Sequence, residues 1–313
     1  MKYFKFAADK GNIKAMFNHG KMLYKGEGIE KNIKEAAHYM KLAADNGHIK
    51  AMYKYGRMLE EGEGVSANIY FKMAALKGHV KSMIIFAYNL ENGIGIKQDK
   101  REASNYYKMA ADKGSLEAMF KYGRMLEQGE GIDMNKKEAS FYFRKAANEG
   151  HLKSIFRYAC MLYAGEGVQL NLRESCKYFK LAADKGHIKA AFNYACMLFK
   201  GEGTKANKKE SARYMKLSAD GGYLKAIKDY YWMLYNGEGV EINKKEANRY
   251  LKMSADKCDV KSMLSYACAL EKCEGTQIDR KEAKKYFKMA KSFDVLNTKS
   301  SKIESNVKKK NCI

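Results

Sequence analysis

Ala118-Met119-Phe120-Lys121-Tyr122-Gly123-Arg124-Met125-Leu126-Glu127-Gln128-Gly129-Glu130-Gly131-Ile132 places Met119, Tyr122, Gly123 and Leu126 at i, i+3, i+4 and i+7, one face of a helix. Gly129 can take the left-handed conformation that ends a helix without a Cβ penalty. Gly131 then completes a tight reversal, and Ile132 re-enters the apolar interior.

Aligned on this turn, the chain repeats itself. The turn returns as Gly26-Glu27-Gly28, Gly62-Glu63-Gly64, Gly93-Ile94-Gly95, Gly165-Glu166-Gly167, Gly201-Glu202-Gly203 and Gly237-Glu238-Gly239, with a degenerate copy at Cys273-Glu274-Gly275. The spacing is 36 residues except for one step of 31, from Gly62 to Gly93. Eight repeats therefore cover residues 15–292, starting at Ala15, Ala51, Ser82, Ala118, Ser154, Ala190, Ala226 and Ser262. In each first helix the ninth column is Leu, and the sixth is Gly or Ala except at Tyr231, which predicts a close helix crossing. Methionines such as Met16, Met52 and Met119 share the phase of the Leu column and read as core.

A capping box opens the second helix in seven repeats, as in Asn32/Glu35, Asp99/Glu102 and Asn135/Glu138. A Tyr and a small pair such as Ala43-Ala44 follow, and most second helices end at a Gly. Helices of about 11 and 14 residues are too short to stand alone, so each must bury its apolar face on neighbouring hairpins. The fold expected is all-α, an α-solenoid of stacked antiparallel helix pairs.

The pattern Ala-x3-Tyr-Gly-x-Met-Leu-x2-Gly-Glu-Gly-Ile/Val, followed by Lys-Glu-Ala-x2-Tyr-x3-Ala-Ala-x-x-Gly, resembles the Sel1-like repeat, a relative of the tetratricopeptide repeat. The resemblance implies a right-handed superhelix with the first helices on its concave side, used as a scaffold or adaptor. Roles known in the family include endoplasmic-reticulum-associated degradation, chitin-synthase activation and bacterial virulence, and nothing in the sequence selects among them.

Three stretches depart from the pattern. Residues 1–14 hold a partial repeat with a second helix only, which predicts an internal start with a domain upstream of it, or a frayed half-unit. The second repeat lacks five residues between Val65 and Tyr70, capping box included, so its second helix is expected to be short. Residues 293–313 lose the period and read as a basic, disordered tail.

Composition bounds the function. At 46% hydrophobic and 30% charged the chain suits a folded soluble protein, and no run approaches the roughly 20 apolar residues of a membrane span. No signal-peptide core precedes the repeats, and the seven cysteines are odd in number, so reduced thiols in a cytoplasmic protein are expected. The net charge of +23 invites an anionic partner, although a proline-free chain rich in Lys, Asn, Ile and Tyr is also what AT-rich coding produces.

No catalytic set stands outside the repeat grammar, so neither an enzyme, a cofactor nor a small-molecule substrate is expected. Histidines at 48, 79, 151 and 187 share one column whose neighbouring copies stand about 10 Å apart, too far to share a metal, and read as helix-end residues. Cys160, Cys196 and Cys268 share one column and are expected free, whereas a Cys258–Cys273 pairing stays open.

The seventh and tenth columns of the first helix vary where the core does not. They read Arg57/Glu60 and Arg124/Glu127, each a polar pair at i, i+3, and then Cys160/Tyr163, Cys196/Phe199 and Trp232/Tyr235. Such a wall, charged and then aromatic, suits a peptide or protein segment with an apolar anchor, while packing against the adjacent helix explains the aromatics equally well.

Second helices carry a basic pair seven residues apart, from Lys34/Lys41 through Lys137/Arg144 and Lys245/Lys252 to Lys281/Lys288. This stripe could hold nucleic acid or an anionic membrane, or be a solvated face. The functional expectation is a non-enzymatic interaction scaffold. The alternatives are a basic solenoid on nucleic acid or membrane, and a regulatory repeat fragment of a larger protein such as an enzyme or a degradation adaptor.

Overall fold

The computed structural model describes residues 2–60 and 67–293, and every regular element among them is a helix. In order these are α1 (Lys2–Asp9), α2 (Ile13–Lys25), α3 (Ile33–Asp45), α4 (Ile49–Glu60), α5 (Ala67–Leu76), α6 (Val80–Asn92), α7 (Lys100–Asp112) and α8 (Leu116–Gln128). They continue as α9 (Lys136–Asn148), α10 (Leu152–Ala164), α11 (Leu172–Asp184), α12 (Ile188–Lys200), α13 (Lys208–Asp220), α14 (Leu224–Asn236), α15 (Lys244–Asp256) and α16 (Val260–Lys272), with α17 over residues 280–293. From α2 on, even-numbered helices open each hairpin, two residues ahead of the repeat starts read from the alignment, and odd-numbered helices close it. The second turn, Gly62-Glu63-Gly64, and residues 294–313, with the expected tail and Cys312, lie outside the described residues.

The chain divides into two compact units, Met1–Tyr158 with Glu166–Gln169, and Ala159–Gly165 with Leu170–Ile313. In the first unit the core gathers Met16, Leu23, Met40, Met52 and the small residues of α3, α4 and α5. In the second unit Leu251, Met263, Tyr266, Leu270 and Tyr286 make the C-terminal part of the core. In two hairpins the sixth-column glycine meets an aromatic ring: a Cβ on Gly56 or Gly123 would stand 2.8 or 2.9 Å from Phe71 or Phe143. α5 has 10 residues where α3, α7 and α9 have 13, as expected from the deletion.

Seven of the closing helices start with one repeated hydrogen-bond pattern. The N-cap Asn or Asp side chain accepts from the backbone N–H of the Glu three residues on, at 2.8 to 3.0 Å in α3, α7, α9, α11, α13, α15 and α17. The Glu does not complete the box by bonding the N-cap backbone N–H. That N–H already donates to the carbonyl of the invariant Leu, as in Asn135 to Leu126 at 2.8 Å and Asn207 to Leu198 at 2.8 Å. The carboxylate meets the Asn side-chain amide instead, at 3.2 Å in Asn135/Glu138.

The Gly-Glu-Gly turn does more than reverse the chain. Its first glycine is the left-handed cap, and in Gly129 the N–H bonds the Met125 carbonyl. Its Glu reaches back thirty residues to the Lys that opens the previous second helix, in Lys100–Glu130 (3.2 Å), Lys136–Glu166 (2.9 Å) and Lys208–Glu238 (3.6 Å). Its second glycine lies against the backbone of that same residue. A Cβ would sit 2.4 Å from the Lys100 carbonyl oxygen at Gly131, 2.2 Å from that of Lys136 at Gly167 and 2.1 Å from that of Lys208 at Gly239. The turn is therefore the docking point of one hairpin on the one before.

A second ladder joins successive closing helices. Tyrosine hydroxyls donate to the Asp that ends the preceding one, in Tyr39–Asp9 (2.8 Å), Tyr142–Asp112 (3.3 Å), Tyr214–Asp184 (2.5 Å) and Tyr250–Asp220 (2.5 Å). Burial, helped by the Asp9 carboxylate, pushes the Tyr39 hydroxyl up to about 12. Tyr106 has Leu76 at the corresponding place, at the end of the shortened α5, and Leu76 is left exposed.

The histidine column caps the opening helices. Nδ1 of His48, His79 and His187 accepts from the backbone N–H of Ala51, Ser82 and Ala190, at 3.1, 3.3 and 3.1 Å. Two of the rings also lie on an aromatic of the preceding opening helix, His48 on Phe17 at 4.5 Å and His79 on Tyr53 at 4.9 Å. Burial holds these three imidazoles, and that of the buried His19, below their ordinary value near 6.5. The unfolded chain therefore binds more protons just below that value, and stability falls as pH drops through it. Melting temperature is expected to stay level from about pH 8 to 7 and to decline below about pH 6.5, ahead of carboxylate titration. Replacing His48, His79 and His187 together by Asn, a cap that does not titrate there, should flatten that decline in thermal scans.

Candidate functional site

The ten residues of the variable columns fall in the two units separately, four in the first and six in the second. In the first, Arg57 on α4 makes the pair read from its spacing, to Glu60. Arg124 and Glu127 on α8 do not pair with each other. Arg124 bonds Glu91 of α6 at 2.7 Å, and Glu127 accepts from Arg157 of α10. The reason lies in the packing: successive opening helices bring a carboxylate of one beside the guanidinium of the next, and Glu91 also takes the hydroxyl of buried Tyr107 at 2.8 Å. The Arg124 charge thus links two hairpins within the first unit.

In the second unit the tenth column carries Tyr163, Phe199 and Tyr235 and the seventh Cys160, Cys196 and Trp232, of which Tyr163 and Trp232 are exposed and the others half-buried. Tyr163 donates to Glu202 at 2.9 Å, where Leu172 replaces the Lys that would otherwise hold this turn carboxylate. Phe199 is covered by the Lys208 ammonium and Tyr235 by that of Lys244, each 5.0 Å from the ring centre. Trp232 is 52% exposed. Its ring stands edge-on to Tyr231 at 5.0 Å and Tyr235 at 5.9 Å. Tyr231 is the residue that breaks the small sixth column. Beside these rings opens a cleft of about 320 Å³, lined by Asp229, Tyr231, Trp232, Leu251, Ser262 and Ser265 among others. Tyr231 and Trp232 thus line the cleft with Tyr235 packed against both rings, a cluster that needed the break at Tyr231 as well as the seventh and tenth columns to be seen.

Basic pairs on the closing helices are not equivalent along their length. Their later members are partly neutralised, Lys216 by Glu246 at 3.3 Å and Lys252 by Glu282 at 2.7 Å, both capping-box carboxylates of the next closing helix. The earlier members, Lys34, Arg101, Lys137, Arg173, Lys209, Lys245 and Lys281, are exposed.

Among the described residues no group of His, Cys, Asp and Glu side chains could hold a metal. Cys176, Cys196, Cys258, Cys268 and Cys273 are free thiols, and burial pushes Cys196 up to about 11. Cys258 and Cys273 take positive φ, 64° and 60°, in place of glycine. No described helix is long and apolar enough to cross a membrane.

Consecutive hairpins docked through a recurring turn define an α-solenoid repeat protein, a construction that commonly serves as a scaffold for other proteins. The chain belongs to the Sel1 repeat family, whose pattern matches residues 13–48, 49–79, 81–115, 116–151, 152–187, 188–223, 232–257 and 262–292. Among solved structures it is similar to a protective antigen of uropathogenic Escherichia coli with an SLR fold, at 24% identity and a TM-score of 0.82 over 93% of this chain. The match spans 64% of that antigen, under two thirds of its length. It is also similar to a Sel1 repeat protein from Oxalobacter formigenes, at 22% identity and a TM-score of 0.78, over 93% of this chain and 87% of that one. No curated protein sequence matches the chain.

Proposed function

We propose that the chain is a non-enzymatic interaction scaffold, and that the aromatic face of its second unit, Tyr163, Phe199, Trp232 and Tyr235, takes an extended peptide or protein segment through an apolar anchor. The observation that carries this reading is Trp232, half in solvent and backed by Tyr231 and Tyr235 beside a cleft of about 320 Å³. An indole held rigid at a surface is the kind of residue on which binding energy concentrates. The exposed ring contributes little to folding, which weighs against the packing explanation of this column.

Partners captured from the native source, identified by mass spectrometry and titrated against the full chain test the proposal. Trp232→Ala with Tyr235→Ala should weaken binding by roughly a hundredfold, about 3 kcal/mol, and lower the melting temperature by only about 2 °C. A large loss of stability with partner affinity unchanged would instead assign these rings to packing.

A further inference from the structure

In the second unit the closing helices carry a third basic position between the two already noted. It completes sets at i, i+4 and i+7 on one helix face: Lys209, Arg213 and Lys216 on α13, Lys245, Arg249 and Lys252 on α15, and Lys281, Lys285 and Lys288 on α17. The corresponding middle residues of α3, α7 and α9 are His38, Asn105 and Phe141.

Two of these sets line clefts. The α13 cleft, of about 770 Å³, balances its three cations with Glu210, Glu241 and Glu246. The α15 cleft, of about 660 Å³, is lined by Lys245, Arg249 and Lys252 with Asn248, Tyr266 and Gln277, and no carboxylate lines it. Lys252 leans on Glu282 at 2.7 Å, while Arg249 lies over the Tyr250 ring at 5.1 Å. Among the described residues Lys245 has no carboxylate within the 4.0 Å of an ion pair. The like charges of Lys245 and Arg249 in one concavity repel, and an anionic ligand would relieve that repulsion.

The kind of anion follows from what surrounds the cleft. Tyr266 reaches the cleft only by its edge, at 6% exposure, and Tyr250 and Tyr286 are buried, so none of these three rings offers an open face to a nucleic-acid base. Capping-box carboxylates, Glu246 and Glu282, recur once per closing helix and interrupt the basic face. A continuous phosphate backbone would meet them, whereas a chain with spaced charges can pass between them. Ion pairs from Lys216 to Glu246 and from Lys252 to Glu282 show that α13, α15 and α17 are direct neighbours, about 8–10 Å apart. An extended polypeptide advances about 3.3 Å per residue, so three residues span one such step.

We propose that the α15 cleft binds acidic side chains of an extended polypeptide segment, with Lys245 and Arg249 holding its carboxylates and the set on α17, one step along, taking a further one three residues on. This face is separate from the aromatic one, so either assignment can fail without the other.

The test is fluorescence anisotropy of the full chain at about 150 mM salt. The probes are a labelled peptide with Glu at every third position, a peptide of the same composition with its Glu residues grouped at one end, and a single-stranded RNA of equal charge. The spaced peptide should bind roughly tenfold more tightly than either of the others. Lys245→Glu with Arg249→Glu, and the milder Lys245→Gln with Arg249→Gln, should weaken it by about thirtyfold and about tenfold with unchanged melting curves, while Trp232→Ala and Lys34→Glu leave it unaltered. Equal binding of the spaced and grouped peptides, tighter binding of the RNA, no binding at this salt, or indifference to the α15 substitutions would each overturn the proposal.

Discussion

Gly203→Ala is expected to destabilise the chain by about 4 kcal/mol and Gly129→Ala by only about 1–2 kcal/mol. Both glycines have φ of +69°, so the left-handed penalty of a side chain is common to them. They differ in what the new methyl would meet. At Gly129 the nearest atom is the Met134 side-chain Cβ at 3.4 Å, an ordinary contact. At Gly203 it is the Leu172 carbonyl oxygen at 2.2 Å, with the carbonyl carbon at 2.5 Å, and no rotamer change can move a backbone. Only separation of the two hairpins relieves the clash, and stacking is what holds short helices folded. Urea unfolding of both variants, together with hydrogen exchange over α11 and α12, measures the difference. Equal losses would show that the second glycine is needed for its φ alone and that hairpins do not dock through it.

The solenoid was legible because its determinants lie within one repeat. The Leu column, the Asn or Asp caps and the first turn glycine each act on residues a few positions away, where spacing can be read directly. The second turn glycine was legible only as part of a reversal, since the backbone it approaches is thirty-one residues earlier. A trace of the docking was nevertheless present: Lys stands thirty residues before Glu130, Glu166 and Glu238, and Gly64 stands thirty before Ile94, where the turn has lost its Glu. The histidine column was visible as a period, but its capping role depends on which ring nitrogen faces the next N–H. Arg124 shows the complementary difficulty. Glu127 at i+3 and Glu91 on the preceding opening helix are equally plausible partners by type, and only packing decides between them.

Glu91→Ala is expected to cost about 3 kcal/mol, against less than about 1 kcal/mol for Glu60→Ala. The two carboxylates occupy the same column of their helices and both meet an arginine, yet their surroundings differ. Arg57 and Glu60 lie on one helix with the guanidinium half in water, so water replaces most of what the pair supplies. Glu91 is 7% exposed and accepts from the Tyr107 hydroxyl as well as from Arg124, with Lys121 at 3.9 Å. Truncation leaves the hydroxyl of a fully buried tyrosine without an acceptor and one face of Arg124 without a counter-charge. Glu91→Gln keeps an acceptor for Tyr107 and should lose only about 1–2 kcal/mol. Because both partners of Glu91 belong to neighbouring helices, the loss should be non-additive with Tyr107→Phe, which removes the stranded hydroxyl. A double-mutant cycle in urea with no coupling between Glu91→Ala and Tyr107→Phe would show that the carboxylate acts through Arg124 alone.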